Sequence, residues 1–129
     1  MTVPRHNVSS HSPFEPQIGF SRAVRTGSRV VVAGTAPVWP DGSCPDDVRA
    51  QTRRCWEVVA AALTEAGASL RDIVRTRTYL TSSTDFDAVC EIHRELFADV
   101  LPAATMIVVA GMLDPRWKVE VEAEAVTTG

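Results

Sequence analysis

The chain has few of the residues that build metal sites, disulfide frameworks or membrane spans. Its three cysteines, Cys44, Cys55 and Cys90, lie far apart and include no CxxC pair. We therefore expect reduced thiols in a cytoplasmic protein, with no disulfide and no zinc site. No apolar run approaches the roughly 18 residues that a membrane span needs. Residues 1–17 also lack the apolar centre of a secretory signal.

Clusters of basic residues are missing as well. The formal net charge is −3, and no group of lysines and arginines with interleaved aromatic residues occurs. This composition predicts no nucleic-acid partner. His6 and His11 have no cysteine or carboxylate at ligand spacing, so we expect no metal at these histidines either.

The length of 129 residues predicts one domain with a hydrophobic core of its own. Residues 1–16 are polar and contain proline, which favours a flexible N-terminal lead. We expect residues 17–129 to form the single folded domain.

Hydrophobic periodicity predicts an alternation of strands and helices along residues 17–126. The order ββαβαββ is typical of an α+β fold in which two amphipathic helices cover one face of a single sheet. The elements are a hairpin over 19–34, a helix from Asp46 or Asp47 to Ala66, a strand over 72–81, a helix capped by Ser83 or Thr84, and two strands joined by a short loop between Pro102 and Val126.

Carboxylates occupy every second position of the last strand. Alternation places them on one face and small apolar residues on the other. The opposite faces carry Glu120, Glu122 and Glu124 on one side and Val119, Val121, Ala123 and Ala125 on the other. Such a face is either solvated or meets another subunit, and self-association would cover it.

Five stretches, in unbroken order over residues 17–126, resemble the YjgF/Rid family of reactive intermediate deaminases. RVVVAGTAP resembles the strand that leads into the family's S-G-x-x-P motif. Residues 51–80 resemble its Q…L…AG…D-V-V…YL segment. The stretches TDFDAVCEIHRELF, PAATMIVVA and KVEVEAEAV resemble its second helix, its PAR strand and its closing VEIEA strand.

This resemblance implies a chorismate-mutase-like protomer and a homotrimer with a central barrel and ligand clefts between subunits. It also implies cofactor-free hydrolysis of enamines and imines to 2-keto acids and ammonia. In the family, the arginine of PAR holds the substrate carboxylate with two parallel hydrogen bonds. The first glutamate of VEIEA positions or activates water, and a first-strand tyrosine shapes the site.

Only the glutamate keeps its identity here, as Glu120. Ala104 stands at the arginine position, and Phe20 takes the place of the tyrosine. The family's serine in the second strand corresponds to Ala33 and its cysteine to Met106. Cys90 stands where the second helix of the family carries asparagine.

These departures predict a larger, more apolar cleft without the anchor for a substrate carboxylate. We therefore expect that the protein is not an efficient 2-imino acid deaminase. Glu120 serves either as an acid/base whose pKa is raised by desolvation or as one member of a structural ion pair. Trp117 and Trp39 either line the cleft or pack against a neighbouring subunit.

Another arginine could replace the missing one, and we consider Arg77 first because it is expected on the face that bears the glutamates. The alternative is that Arg75 and Arg77 neutralise Glu122 and Glu124. The remaining arginines to consider are Arg22, Arg25 and Arg116.

Three functions are compatible with these residues. The first is hydrolysis of a small enamine, imine or related metabolite, in which Glu120 directs water. A second possibility is a small-molecule-binding or regulatory trimer without catalysis, and a third is a structural or chaperone-like surface.

Overall fold

The computed structural model describes residues 4–128, and these form one mixed sheet with helices. The strands are β1 (Arg5–Val8), β2 (Ala23–Thr26), β3 (Arg29–Thr35), β4 (Ile73–Leu80), β5 (Ala103–Val108) and β6 (Val119–Val126). The α-helices are α1 (Phe14–Ile18), α2 (Val48–Glu65) and α3 (Phe86–Phe97), and 3-10 turns precede β4 and α3.

The six strands are ordered β1-β2-β3-β6-β4-β5 in the sheet. β6 pairs antiparallel with both β3 and β4, whereas β5 pairs parallel with β4. The predicted α+β class with a single sheet is therefore confirmed. The two strands predicted on either side of the short loop between Pro102 and Val126 are not neighbours in the sheet, because β6 is inserted between β3 and β4 and both of its edges are hydrogen-bonded.

The core lies between one face of the sheet and helices α2 and α3, as the periodicity predicts. The apolar side of β6 is buried, with Val119 and Val121 fully inaccessible, and Cys55, Val59 and Ile92 of the helices belong to the same cluster. Burying such side chains stabilises the fold by about 1.5–3 kcal/mol for each large residue.

The inward face of β4 departs from strict alternation at its start. Thr76, Thr78 and Leu80 are buried, but Val74 is 47% exposed and Ile73 takes its place in the core. The pairing of β4 with β6 shifts register between residues 73 and 75. An irregularity of this kind reverses the side-chain direction for the residues before it.

Helix α2 begins and ends at signals in the sequence. The Asp47 carboxylate accepts a hydrogen bond from the Arg49 amide at 3.1 Å, and Gly67 follows the helix with a φ of +82°, which glycine adopts without strain. Helix α3 differs from the prediction. Its N-cap residue is Asp85 rather than Ser83 or Thr84, because a short 3-10 turn occupies Ser83–Asp85 first.

The N-terminal segment, expected as a flexible lead over residues 1–16, carries regular secondary structure in its described part. β1 pairs antiparallel with β2, and α1 follows it. Glu15 and Arg22 are only 5% and 6% exposed and form an ion pair at 3.7 Å. Polar residues such as these are usually exposed, so the sequence does not predict this buried pair. The ion pair attaches the N-terminal segment to the sheet. Residues 1–3 of the expected lead lie outside the described part of the chain.

We expect Glu15→Gln to lower the free energy of unfolding by roughly 2 kcal/mol or more, because it leaves the buried Arg22 guanidinium without its counter-charge. The matched control is Glu57→Gln, whose carboxylate is 65% exposed and pairs with Arg54. This control is expected to cost less than about 0.5 kcal/mol. Urea unfolding of both variants measures the difference, and equal effects would contradict the anchoring role of Glu15.

Candidate active site

A groove of about 850 Å³ runs between the N-terminal segment, the end of β3 and helix α2. Four of the sequence-predicted site residues contribute to its lining. They are Phe20, Ala33, Trp117 and Glu120. The groove is the largest of three cavities that receive predicted site residues; the smaller of its two neighbours is described below, and the other, of about 700 Å³, shares Phe20 and Ala33 with it.

Glu120 enters this groove from the side of β6 that faces away from the helices. A methyl group on Gly34 would stand 2.7 Å from Glu120 Oε2, so the carboxylate lies against this backbone and would have to move to admit a larger residue. Gly34 has no positive φ, and its role here is therefore close approach rather than backbone conformation.

No donor in residues 4–128 hydrogen-bonds to the Glu120 carboxylate, and no cation forms a salt bridge with it. Burial raises the pKa of this carboxyl above its ordinary value; Arg22 opposes the shift, and the charge of Glu122 adds to it. A half-buried carboxylate that lacks a partner and titrates above its usual range has the properties of a general acid or base.

The Arg22 side chain contacts the backbone of the same glycine, Gly34. Its Nη1 donates to the Gly34 carbonyl at 2.5 Å and to Thr35 Oγ1 at 3.1 Å, and its guanidinium stands 5.2 Å from the centre of the Phe20 ring. Desolvation lowers the pKa of Arg22, while the charges of Glu15 and Glu120 counteract this effect. The Glu15 ion pair described above already compensates the positive charge.

Aromatic rings make up much of the remaining wall. Phe14 and Trp117 meet edge to face, with ring centroids 5.9 Å apart and an interplanar angle of 74°. Trp39 also lines the groove. Of the two alternatives for the tryptophans, the structure of the single chain places both in the lining.

A second cavity of about 380 Å³ lies between α3 and β5. It receives the predicted residues Cys90, Ala104 and Met106. On its inner side, Thr76 Oγ1 and His93 Nε2 are 2.8 Å apart, and burial lowers the pKa of His93. Arg94, an exposed residue of α3, is the charged side chain of this lining.

Arg77 lies in neither cavity. It is on the helix-free face, where its Nη1 is 3.8 Å from Glu122 Oε2, and Glu122 also accepts the hydroxyl of Tyr79. The ion-pair interpretation of Arg77 is therefore the one the structure supports. Glu124 pairs with Arg29 at 3.4 Å, rather than with Arg75.

Apart from Arg77, the predicted site residues thus line either the groove or the cavity beside α3, and Phe20 and Ala33 also border a third cavity. Their union in a single cleft stays a prediction. Sequence reasoning did not place Gly34 or Phe14 at the site, and it preferred Arg77 to Arg22 as the arginine to consider. Glycine inside a β-branched strand was the available signal for Gly34, because such a glycine marks close approach of another group. The burial of Arg22 had no comparable signal.

The described residues contain neither a metal-ligand cluster nor a membrane-spanning helix. Within residues 4–128, no cluster of three or more histidine, cysteine, aspartate or glutamate side chains is arranged to hold a metal ion. None of the helices in the same range combines the length and hydrophobicity that crossing a membrane requires.

Comparisons with known proteins agree with the fold and identify the family. Residues 10–127 match the family model described as Endoribonuclease L-PSP. The chain is 42% identical to the uncharacterized protein SCO2049 of Streptomyces coelicolor, over 92% of this chain and 89% of that protein. It is 33% identical to the Escherichia coli protein named "Putative reactive intermediate deaminase TdcF", over 83% and 85% of the two chains.

A solved structure shows the same architecture. The crystal structure of Rv2704 from Mycobacterium tuberculosis, a member of the YjgF/YER057c/UK114 family, superimposes with a TM-score of 0.89 at 42% identity. The alignment covers 96% of this chain and 100% of that one.

We expect Glu120→Gln to stabilise the fold more at pH 8 than at pH 5. A raised pKa means that the folded state binds the proton more tightly than the unfolded state, so the wild type loses stability as the pH rises through that pKa. Glutamine does not titrate and escapes this loss. Urea unfolding at the two pH values measures the difference, with Glu124→Gln as a control that removes a paired charge. A stability gain that is independent of pH, or absent, would contradict the burial of a lone carboxylate.

Proposed function

The chain belongs to the Endoribonuclease L-PSP family, also called the YjgF/Rid family, and on that premise we propose that it hydrolyses a small enamine or imine without a cofactor. Glu120 would be the catalytic residue. The observation that carries this proposal is the lone, half-buried carboxylate held against Gly34 in a groove of about 850 Å³. The upward direction of its pKa shift, caused mainly by burial, is the one expected of a carboxyl that acts as a general acid or base.

The proposed chemistry needs one carboxylate and one water. The water oxygen attacks the carbon of a protonated imine, R₂C=NH₂⁺, while Glu120 takes a proton from that water. The π electron pair of the C=N bond moves to nitrogen. The resulting carbinolamine is neutral. Glu120 then returns the proton to nitrogen, the C–N bond breaks as the carbonyl forms, and the hydroxyl proton leaves with ammonia. The sum is R₂C=NH₂⁺ + H₂O → R₂C=O + NH₄⁺.

We also propose the homotrimer with a central barrel and clefts between subunits. Two features support it: the predicted site residues lie in two cavities of one chain, and the edge strand β5 leaves Ile107 and Val108 46% and 55% exposed. Packing of the helix-free faces would cover β5 and bring the groove of one subunit to the second cavity of the next. A closed ring of identical contacts is the usual result of such an interface.

Ala104 supports the expectation that 2-imino acids are poor substrates. The second cavity does contain Arg94, but this residue is exposed on a helix. An exposed, hydrated cation contributes at most about 1 kcal/mol to an ion pair, which is less than a planar donor fixed in a desolvated cleft provides.

We further propose that the protein has no nucleic-acid partner and that it is located in the cytoplasm. Although the family description names an endoribonuclease, the groove lining carries Glu57, Glu65 and Glu120, and carboxylates repel a phosphate backbone. The three cysteines are free thiols, which suits a reducing compartment.

Turnover of imines generated in situ tests the proposal. We expect Glu120→Gln and Gly34→Ala to lower hydrolysis at least about 100-fold, the first by removing the acid/base group and the second by displacing it. Gly111→Ala is the matched control, because nothing lies within 4 Å of its added methyl group, and it should retain activity. We also expect 2-iminobutyrate, supplied by a dehydratase, to persist almost as long with the protein as without it.

Two outcomes would contradict this account. If Glu120→Gln binds ligand and assembles like the wild type, and neither protein hydrolyses any imine, the non-catalytic binding function replaces the enzymatic one. If 2-iminobutyrate is instead consumed rapidly and Arg94→Gln abolishes the activity, the expected inefficiency is wrong and Arg94 is the carboxylate anchor.

A further inference from the structure

We infer that the groove selects a small organic cation without a carboxylate, so that the substrate is the iminium ion of a simple amine rather than of an amino acid. This substrate class rests on the proposed function. The electrostatic argument for cation binding stands on the groove itself, on its charges and on its aromatic walls.

The charges of the groove are not balanced. Arg22 is paired with Glu15 at 3.7 Å and Arg54 with Glu57 at 3.3 Å. Neither Glu65 nor Glu120 has a salt-bridge partner within residues 4–128. The two arginines are thus already compensated, and the groove keeps an excess of negative charge. A cationic ligand would restore the balance, whereas an anion would add to the repulsion.

Of the two carboxylates without a salt-bridge partner, Glu120 is the one that a ligand would contact in a partly desolvated position. Its carboxylate lies against Gly34 and has two oxygens without a donor from the described residues. An N–H group on a positively charged nitrogen forms a charge-assisted hydrogen bond with such an oxygen. Glu65 lies on the exposed side of α2 and contributes mainly through its longer-range field.

The walls of the groove suit the same ligand. Phe14, Trp39 and Trp117 contribute aromatic rings, and the negative face of an aromatic ring attracts a cation. One face of Phe20 is already occupied by the Arg22 guanidinium, which shows that this wall accommodates a delocalised positive charge. An iminium ion combines such a charge with an apolar body that aromatic walls would bury.

Ala104, which stands at the arginine position of the family, agrees with a preference for cations that lack a carboxylate. A 2-imino acid carries a carboxylate next to its imine, and that carboxylate needs a cationic partner. An amine-derived iminium ion has no such group, so Ala104 removes nothing that its binding requires. The reaction class that must supply the substrate is oxidation of a primary amine to its imine.

Three probes of similar size and different charge test this inference. Benzylammonium, benzyl alcohol and benzoate share one ring, and isothermal titration calorimetry at pH 7.5 gives their dissociation constants. We expect benzylammonium to bind at least about tenfold more tightly than either of the others. In Glu120→Gln this preference should fall to about threefold or less, while Glu124→Gln, a variant of the same strand outside the groove, should keep it.

The inference is overturned if benzoate binds as tightly as benzylammonium, or if Glu120→Gln retains the full preference for the cation. Hydrolysis of the imine that an amine oxidase produces from benzylamine is measured in parallel. Imine hydrolysis without cation preference would contradict only the substrate class. Selective cation binding without any turnover would instead contradict the proposed hydrolysis and identify a cation-binding groove.

Discussion

The candidate site depends on one close approach, that of the Glu120 carboxylate to the backbone of Gly34. β6 is hydrogen-bonded along both edges, and its apolar side is fixed in the core, so the direction of Glu120 is set by packing on the opposite face. The carboxylate consequently stands in the groove without a donor of its own. The burial that raises its pKa is a cost to folding, and groups perturbed in this way cluster at functional sites.

The surroundings of Glu120 are arranged to leave it unpaired. Arg22 is close enough to influence its titration, yet the hydrogen bonds of this arginine go to the Gly34 carbonyl and Thr35, and its charge is met by Glu15. The N-terminal segment that carries Glu15 also supplies Phe14 to the groove wall. The ion pair therefore fixes the wall and removes Arg22 as a competitor for Glu120.

The sequence predicted the layers of this fold better than its connections. Alternation along β6 and the apolar face of α2 follow from local chemistry, and both were predicted. The insertion of β6 between β3 and β4 was not, because the choice of strand neighbours is settled by packing over the whole sheet. The strand and helix within residues 5–18 were not predicted either, because this stretch is short and polar and its buried Glu15–Arg22 pair adds no apolar pattern to the sequence.

The site residues likewise include some whose location was predicted from the sequence and some whose location was not. Family resemblance placed Glu120, Phe20 and Ala33 at the site, and they share one groove with Trp117, which was proposed from its place in a loop. Cys90, Ala104 and Met106, also placed by resemblance, share another cavity. Arg77 was preferred as a substitute cation because it belongs to the face of the glutamates, and the structure pairs it with Glu122 instead.

Titration of the Glu120 side-chain carboxyl by carbon-detected NMR tests the central claim most directly, with Glu120→Gln to assign the resonance. The account predicts a single midpoint above the ordinary glutamate value of about 4.3, because the carboxylate is half-buried and unpartnered. A midpoint at or below that value would show that water or a cation compensates the charge, and would contradict the account.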